Sequence, residues 1–395
     1  MRISISDLAG KRPLLSVFLL FLAGMVFAVD VEFTAPQFYT NIPEYQDIVQ
    51  KLNMDLISEF SGYENQIRDD MAGLPSSFPN LARAFANSSV FSSDGASQRG
   101  YEGFNAFSFT VGSMGALQLP KKLTLLNEIK DAIKNGEGGI DFDFGRENMD
   151  MRLGLDVQVF NAQLGINTSK FLLNGLYLGF KFSKFDTNWI RAKPLSGFSF
   201  NTMSVGINAS YQLIKRKRIL AGLFVWRGLN IGTGFIWQNT SLGLKSSLPM
   251  DDDLLNRSIP TPIGTLNMQL DEVFNLNIKT STIIIPVEAM TSIRLGFLNL
   301  ALGAGVDIAL GASNIKAHGS FDVIDHSGLP PGIELMDGTP SLKYSLGGKS
   351  SPSFLNVKAM GAVGINIGPV LFDIPVTYYF LDNGYSLGFT LGFTI

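Results

Sequence analysis

The residues best suited to chemistry are charged side chains placed within segments of alternating polarity. Eight of them share the polar face of these segments: Arg152, Asp156, Lys181, Glu288, Arg294, Asp307, Lys358 and Asp373. The cations of this set could bind an anionic headgroup such as a carboxylate, because charge-assisted hydrogen bonds to carboxylate oxygens are strong. These candidates are Arg152, Lys181, Arg294 and Lys358. The alternative is that the eight charges pair with one another or face water.

Other residues with catalytic or metal-binding potential form no convincing group. The chain has 0 Cys, which excludes thiolate metal sites and disulfides. His318 and His326 stand near Asp322 and Asp325, where solvation in a loop explains them better than a metal site. The acidic run 251–253 lacks the glycine turn and closing glutamate of an EF-hand loop. We therefore expect no enzyme activity, no metal and no cofactor.

Composition restricts the class of protein. The formal net charge is −3, which argues against nucleic acid as a partner. Charged residues are 16% of the chain, against roughly 25% in an average globular protein. The mean hydropathy of +0.19 lies between soluble proteins and helical membrane proteins. A wall that exposes only alternate residues to lipid has this balance.

The last residues of the chain show the clearest pattern. From Tyr385 to Ile395 every second residue is large and apolar, and the residues between them are Gly, Ser or Thr. A period of two predicts a β-strand, and a tilted strand of about 9–11 residues crosses a bilayer. A half-buried edge strand of a soluble sheet is the alternative for this stretch alone. If lipid covers the apolar face, replacing Phe389 or Phe393 with Asp should abolish insertion.

Ten segments alternate in this way, which predicts an all-β fold, an antiparallel transmembrane barrel of the outer membrane. The predicted strands are 103–118, 149–167, 175–186, 198–214, 219–240, 271–295, 300–312, 353–367, 370–380 and 385–395. The connections after every second strand are short, and outer-membrane barrels have short periplasmic turns and longer extracellular loops. Both termini are therefore expected at the periplasmic end. The segments 241–270 and 313–352 are expected to be long connections.

The N-terminal third of the chain contains two further predicted units. Basic residues precede an apolar run ending at Ala28, so residues 1–28 are predicted to be a cleavable signal peptide. Residues 43–92 show helical periodicity, and the segment 29–100 is predicted to form a hatch inside the barrel of residues 101–395. A periplasmic helical domain is the alternative. The apolar hatch residues are Leu81, Phe85 and Phe91. Ten strands is a minimum, and a plug of this size favours 12–14.

A helix is also predicted in the first long connection, at 121–135. Its apolar face is formed by Leu125, Leu126, Ile129 and Ile133. This face could fold over the barrel mouth, or it could form an outer groove through which a lipidic substrate enters.

The stretch Phe78–Phe91, followed by a barrel with a helix in an outer loop, resembles the long-chain fatty-acid transporter family in its divergent spirochaetal form. The resemblance implies a 14-stranded barrel, a hatch, capture of a hydrophobic small molecule in an outer groove, and lateral exit through a wall defect. The closing strand resembles the signal read by the outer-membrane assembly machinery. The expected partners are this machinery, outer-membrane lipid and the hydrophobic substrate.

Three functions remain open from the sequence. The first is uptake of hydrophobic molecules such as long-chain fatty acids across the cell outer membrane. The second is a surface-exposed adhesin or structural barrel whose segment 313–352 contacts a host or matrix component. The third is a general diffusion porin.

Overall fold

The computed structural model describes residues 30–33, 37–70, 78–93, 106–120, 152–168, 173–187, 197–219, 224–246, 256–261, 264–327, 331–336 and 341–395. The helices are α1 (Gln46–Asp70) and α2 (Phe78–Ser92), with a 3-10 turn at Pro43–Tyr45 before α1. The strands are β1 (Asp30–Phe33), β2 (Phe38–Thr40), β3 (Phe107–Gln118), β4 (Gly154–Asn167), β5 (Leu176–Asp186), β6 (Phe198–Ile214), β7 (Lys217–Ile219), β8 (Phe224–Ser246), β9 (Asn256–Thr261), β10 (Gly264–Leu295), β11 (Leu298–Ser327), β12 (Ile333–Leu335), β13 (Ser341–Ser350), β14 (Leu355–Ile367), β15 (Val370–Tyr379) and β16 (Gly384–Thr394).

Ten antiparallel strands close into a barrel in the order β3-β4-β5-β6-β8-β10-β11-β14-β15-β16. The last strand returns to the first, with Gly384 opposite Gln118 and Thr394 opposite Ser108. This closure confirms the predicted outer-membrane barrel fold. The expectation of 12–14 strands is wrong, because the long apolar segments at β8 and β10 hide no further hairpins. Of the two described helices only α2 packs against the barrel strands, so a narrower barrel suffices.

The two ends of the barrel differ. The upper end carries the long connections, and the lower end carries short turns such as Gly296 between β10 and β11 and Gly368 between β14 and β15. Both glycines have positive φ, near 60°, a conformation that glycine adopts without steric cost. Short turns mark the periplasmic side of such barrels, so we expect the upper end to face outward from the cell.

The outer wall alternates as the sequence predicts. On β16 Leu387, Phe389 and Leu391 are exposed, whereas Ser386 and Thr390 are buried in the lumen.

Proline interrupts the wall twice. At Pro375 the ladder between β15 and β16 lacks its pairs, and the register is the same on both sides of the gap. Pro286 interrupts the ladder between β8 and β10 in the same way.

The polarity of the wall inverts near the upper end. Trp237, Ile283 and Leu310 are neighbours across β8, β10 and β11, and they form the last apolar row of the outer face, here called the rim. Above the rim the outward side chains are polar: Asn239, Lys245, Asn275, Asn277, Lys279, Ser281, Asn314, Lys316 and His318. Two inward rows just above the rim remain polar, Gln238 with Thr282 and then Thr240 with Thr280 and Ser313. From the next row the inward side chains are apolar: Leu242, Leu244, Leu276, Ile278, Ile315 and Ala317. The wall therefore passes from lipid into water at the rim, and above it the sheet has the polarity of a soluble domain.

Strands that continue above the rim form a second layer, here called the outer platform. β10 and β11 stay paired up to Asn267 and Ser327, and β9 and β13 flank them. β1 extends this sheet by pairing with β13, and β2 pairs with β12. The prediction that 241–270 and 313–352 are long connections is thus wrong over much of their length, because strands occupy much of both ranges.

Helix α1 belongs to the platform. It packs against β1 and β2, where Leu52 and Leu56 are buried and Asn53 forms two hydrogen bonds with the backbone of Phe38, at 2.8 and 2.9 Å. Because β1 lies at the upper end and Ile395 at the lower, the expectation of both termini at one end is wrong. The ladder between β1 and β13 is the physical reason. No helix within the described residues has the length and apolarity needed to cross a bilayer.

Candidate functional site in the barrel lumen

Helix α2 occupies the upper part of the lumen. Pro79 stands in its first turn, where the missing N–H costs nothing. Nearly every side chain from Phe78 to Ser92 is buried, including the predicted hatch residues Leu81, Phe85 and Phe91. The structure places these residues inside the barrel, in contact with β3, β4, β10 and β11.

Glycines in the wall make room for this helix. The Ala84 carbonyl lies against Gly154, the Phe78 side chain against Gly348, and the Phe91 ring against Gly384. A Cβ at any of these glycines would collide with α2. The strands are therefore shaped to hold the helix at close range.

An aromatic contact anchors the C-terminal end of α2. The ring of Phe91 stacks on Tyr379 with centroids 3.9 Å apart. Both rings are fully buried in a cluster that also contains Val90, Ile236 and Ile284. This apolar layer packs the C-terminal end of the helix against β3, β8, β10, β11 and β15.

A polar network joins the same end of the helix to the wall. The Ser92 hydroxyl donates to Asp156 Oδ2 at 2.8 Å, and Gln238 Nε2 donates to the same oxygen at 2.6 Å. Gln158 donates to Gln238 at 2.7 Å, and Asn161 donates to Gln158 at 2.7 Å. All five side chains are buried. The network ties α2 to β4 and β8, and such buried polar bonds fix one arrangement of the parts they join.

Three charged residues meet elsewhere in the lumen. Lys358 Nζ lies 2.6 Å from Glu288 Oε1 and 2.8 Å from Asp307 Oδ1. Gly305 stands between Lys358 and Glu288 in one cross-strand row, so no side chain separates them. Lys358 thus has the pairing that the sequence offered as the alternative to headgroup binding.

The four predicted headgroup-binding cations do not converge. Lys181 on β5 and Lys358 on β14 lie on opposite walls, five strands apart in either direction around the ten-stranded barrel. Half-buried Arg152 precedes β4 at the upper end, whereas Arg294 lies beside the lower turn at Gly296. A single anion site built from these four is therefore not formed. The predicted outer-groove helix, with Leu125, Leu126, Ile129 and Ile133, lies outside the described residues.

An apolar groove of about 600 Å³ lies on the lipid-facing wall across β6, β8, β10 and β11. It is lined largely by small side chains such as Ala209, Ala289 and Ala304. It adjoins the ladder interruption at Pro286, and Glu288 stands at its inner side between Gly232 and Gly305. The wall is thin here, because neither glycine contributes a side chain.

The sequence did not reveal two features of the barrel, one in the lumen and one on the outer wall. The partners of Asp156, namely Ser92 and Gln238, are distant in sequence, although each is a polar residue on an inward position. The groove depends on small residues from four strands. Within the described part of the chain, no three histidines or carboxylates are grouped as a metal site.

A closed antiparallel barrel with an apolar outer wall and a helix in its lumen defines an outer-membrane β-barrel protein. The chain belongs to the Lsa36-like family, whose family model matches residues 40–395. No curated protein matches the chain. The matching family is not the long-chain fatty-acid transporter family, so that resemblance stays a hypothesis.

Several solved barrels are similar to this chain. The translocator domain of the autotransporter NalP from Neisseria meningitidis is 8% identical over 77% of this chain and 92% of its own, with a TM-score of 0.26. Ail, the attachment invasion locus protein of Yersinia pestis, is 10% identical over 73% and 96%, with a TM-score of 0.18. The CymD monoaromatic hydrocarbon channel is 10% identical over 74% and 88%, with a TM-score of 0.20. The barrel assignment rests on this chain's own strand pairing.

Proposed function

We propose that this chain is a surface-displayed binding protein, of adhesin type, whose barrel is an anchor and whose working part is the outer platform. The lumen supports this role, because α2 fills its upper part and is tied there by Phe91 and Ser92. A plugged, polar lumen is poorly suited to a wide diffusion channel. An anchor, in contrast, needs no passage.

The observation that carries the proposal is the length of the β10 and β11 hairpin. Its strands have 32 and 30 residues and pair from the lower turn to Asn267 and Ser327. A membrane crossing needs only about 9–11 residues per strand. The remaining residues build an ordered sheet outside the membrane, and exposed surface on a rigid scaffold is where binding residues concentrate.

A trimmed barrel tests this role. Ser246 lies opposite Phe274, and Ser313 lies opposite Ser350, so two short turns can replace 247–273 and 314–349 without disturbing the wall below. Cells displaying the full chain should bind one or more immobilised extracellular-matrix or plasma proteins, and cells displaying the trimmed barrel at equal density should not. Equal binding by both, or no binding by the full chain, would contradict the proposal.

Uptake of hydrophobic molecules such as long-chain fatty acids is a second candidate, and the wall groove favours it. The groove is apolar, opens to the bilayer, and lies beside the interrupted ladder at Pro286. Such a place could pass an acyl chain between the lumen and the membrane.

Uptake is measured with labelled fatty acid and liposomes that contain the protein. Filling the groove by Ala289→Trp should lower the rate, whereas Leu302→Trp, on the same wall but outside the groove, should not. A rate no higher than that of empty vesicles would remove this candidate.

A further inference from the structure

Four lysines form a basic face on the outward side of the sheet just above the rim. They are Lys245 on β8, Lys279 on β10, Lys316 on β11 and Lys349 on β13, and all are exposed. None of them forms an ion pair within the described part of the chain. The described outward side chains between them are Asn, Ser, His, Gly and Ala, with no carboxylate.

Strand pairing arranges these lysines in consecutive rows. Lys279 and Lys349 share a row and flank Asn314. Lys316 lies one row higher, beside Asn277, and Lys245 one row higher again. With strands about 4.8 Å apart and about 6.6 Å between like-facing residues, the four amines lie within an area of roughly 14 by 13 Å.

The position of this face identifies its occupant. It directly continues the lipid-covered wall, beginning two rows above Trp237, Ile283 and Leu310. Tryptophan is enriched at membrane interfaces, and Lys279 and Lys349 stand about 13 Å above Trp237 along the strands, with Lys316 and Lys245 one and two rows higher. Lysine side chains can reach back toward the outer-leaflet headgroups, because the long apolar stem lets the amine extend to the interface. Lysine amines and asparagine amides are donors suited to phosphate oxygens.

We propose that the basic face binds the phosphate headgroups of anionic lipid in the outer leaflet. The wall then selects its own lipid neighbours over one sector, that of β8, β10, β11 and β13.

Tryptophan quenching tests the proposal, because the chain has 3 Trp and two lie on β8 at opposite depths. Single-tryptophan proteins that retain Trp237 or Trp226 are placed in phosphatidylcholine vesicles containing brominated phosphatidylglycerol or brominated phosphatidylcholine. We expect quenching of Trp237 to show a roughly fivefold preference for the brominated anionic lipid, because about one favourable lysine contact gives a preference of this size. The preference should fall at high salt, where screening is strong.

The substitutions K245Q, K279Q, K316Q and K349Q together should remove the preference at Trp237 and leave Trp226 unchanged. The matched control removes the same charge at the lower end, through K215Q, R216Q, K217Q and R218Q, and should leave Trp237 unchanged. An equal affinity of Trp237 for both lipids in the parent protein would overturn the proposal. A second result would also overturn it. If the parent shows no lipid preference and the fourfold variant loses binding to a soluble sulfated polysaccharide, the face serves a different partner.

Discussion

Removing the positive charge of Lys358 should strongly destabilise the barrel. The Lys358 side chain is fully buried, and its two carboxylate partners are 0% exposed at Asp307 and 14% exposed at Glu288. Lys358→Met would leave two neighbouring carboxylates without their shared cation. Breaking a buried ion pair in this way costs about 3–5 kcal/mol, which is a large part of a typical stability of about 5–15 kcal/mol.

A neutral version of the cluster separates the loss of the cation from the loss of packing. In the triple variant Lys358→Met/Glu288→Gln/Asp307→Asn no uncompensated charge remains, and replacing whole buried ion pairs is often neutral. We therefore expect this variant to recover most of the stability lost in Lys358→Met. Lys217→Met, at the exposed lower end, serves as the control for charge removal and should change stability by less than about 0.5 kcal/mol.

The assay is urea unfolding in lipid vesicles, followed by tryptophan fluorescence and by electrophoretic mobility of the folded barrel. The variants are compared where the slope of the unfolding free energy against urea concentration is the same, because a shift of the midpoint then reports a change in stability. A Lys358→Met protein within about 0.5 kcal/mol of the parent would refute the reasoning. A triple variant as unstable as the single one would show that packing, not charge, explains the loss.

Three further predictions use other parts of the structure. Gly305→Ala would bring its Cβ to 2.6 Å from the Val287 carbonyl oxygen and should lower the free energy of unfolding, measured in urea, by about 1–3 kcal/mol. Gly361→Ala, whose Cβ would lie 3.7 Å from its nearest neighbour, should leave that free energy nearly unchanged. Equal effects of the two substitutions would contradict this account. Phe91→Ala removes the stack on Tyr379 and should raise ion conductance in planar bilayers above the low value expected of the plugged parent, while Ile57→Ala on exposed α1 should not. On intact cells an impermeant maleimide should label Gln50→Cys and Lys316→Cys in this cysteine-free chain, but should label Lys217→Cys only after permeabilisation; protection of Gln50→Cys would place α1 at the lower end.

The sequence predicted the bounds of a strand well where one face of that strand stays in lipid. The range 198–214 predicted for β6 is the range observed, and its apolar residues keep one phase through the lipid-facing part. β11 was predicted to end at 312, just above Leu310, because its polarity inverts above the rim, whereas β10 was predicted from 271, well above Ile283. On β11 the outward positions above the rim become polar and the inward ones from Ile315 onward apolar, so the phase of the lower strand does not continue. The alternation itself continues through Lys316 and His318.

Lumen chemistry was predictable only as a set of inward positions. Glu288, Asp307 and Lys358 were each placed on the lumen face, but their meeting depends on the register of three strands and on Gly305 between them. The bond between Ser92 and Asp156 depends on how deeply α2 enters the barrel. Strand alternation contains no information about that depth.

The location of β1 has a consequence for the biogenesis of the protein. β1 pairs with β13 at the upper end, α2 lies in the upper lumen, and β3 begins at the lower end. A segment carrying the 25-residue α1 cannot pass a lumen that α2 already fills. Translocation of the N-terminal segment must therefore precede or accompany sealing of the seam between β16 and β3. The ladder between β1 and β13 then acts as a latch that prevents the segment from sliding back, and assembly becomes vectorial.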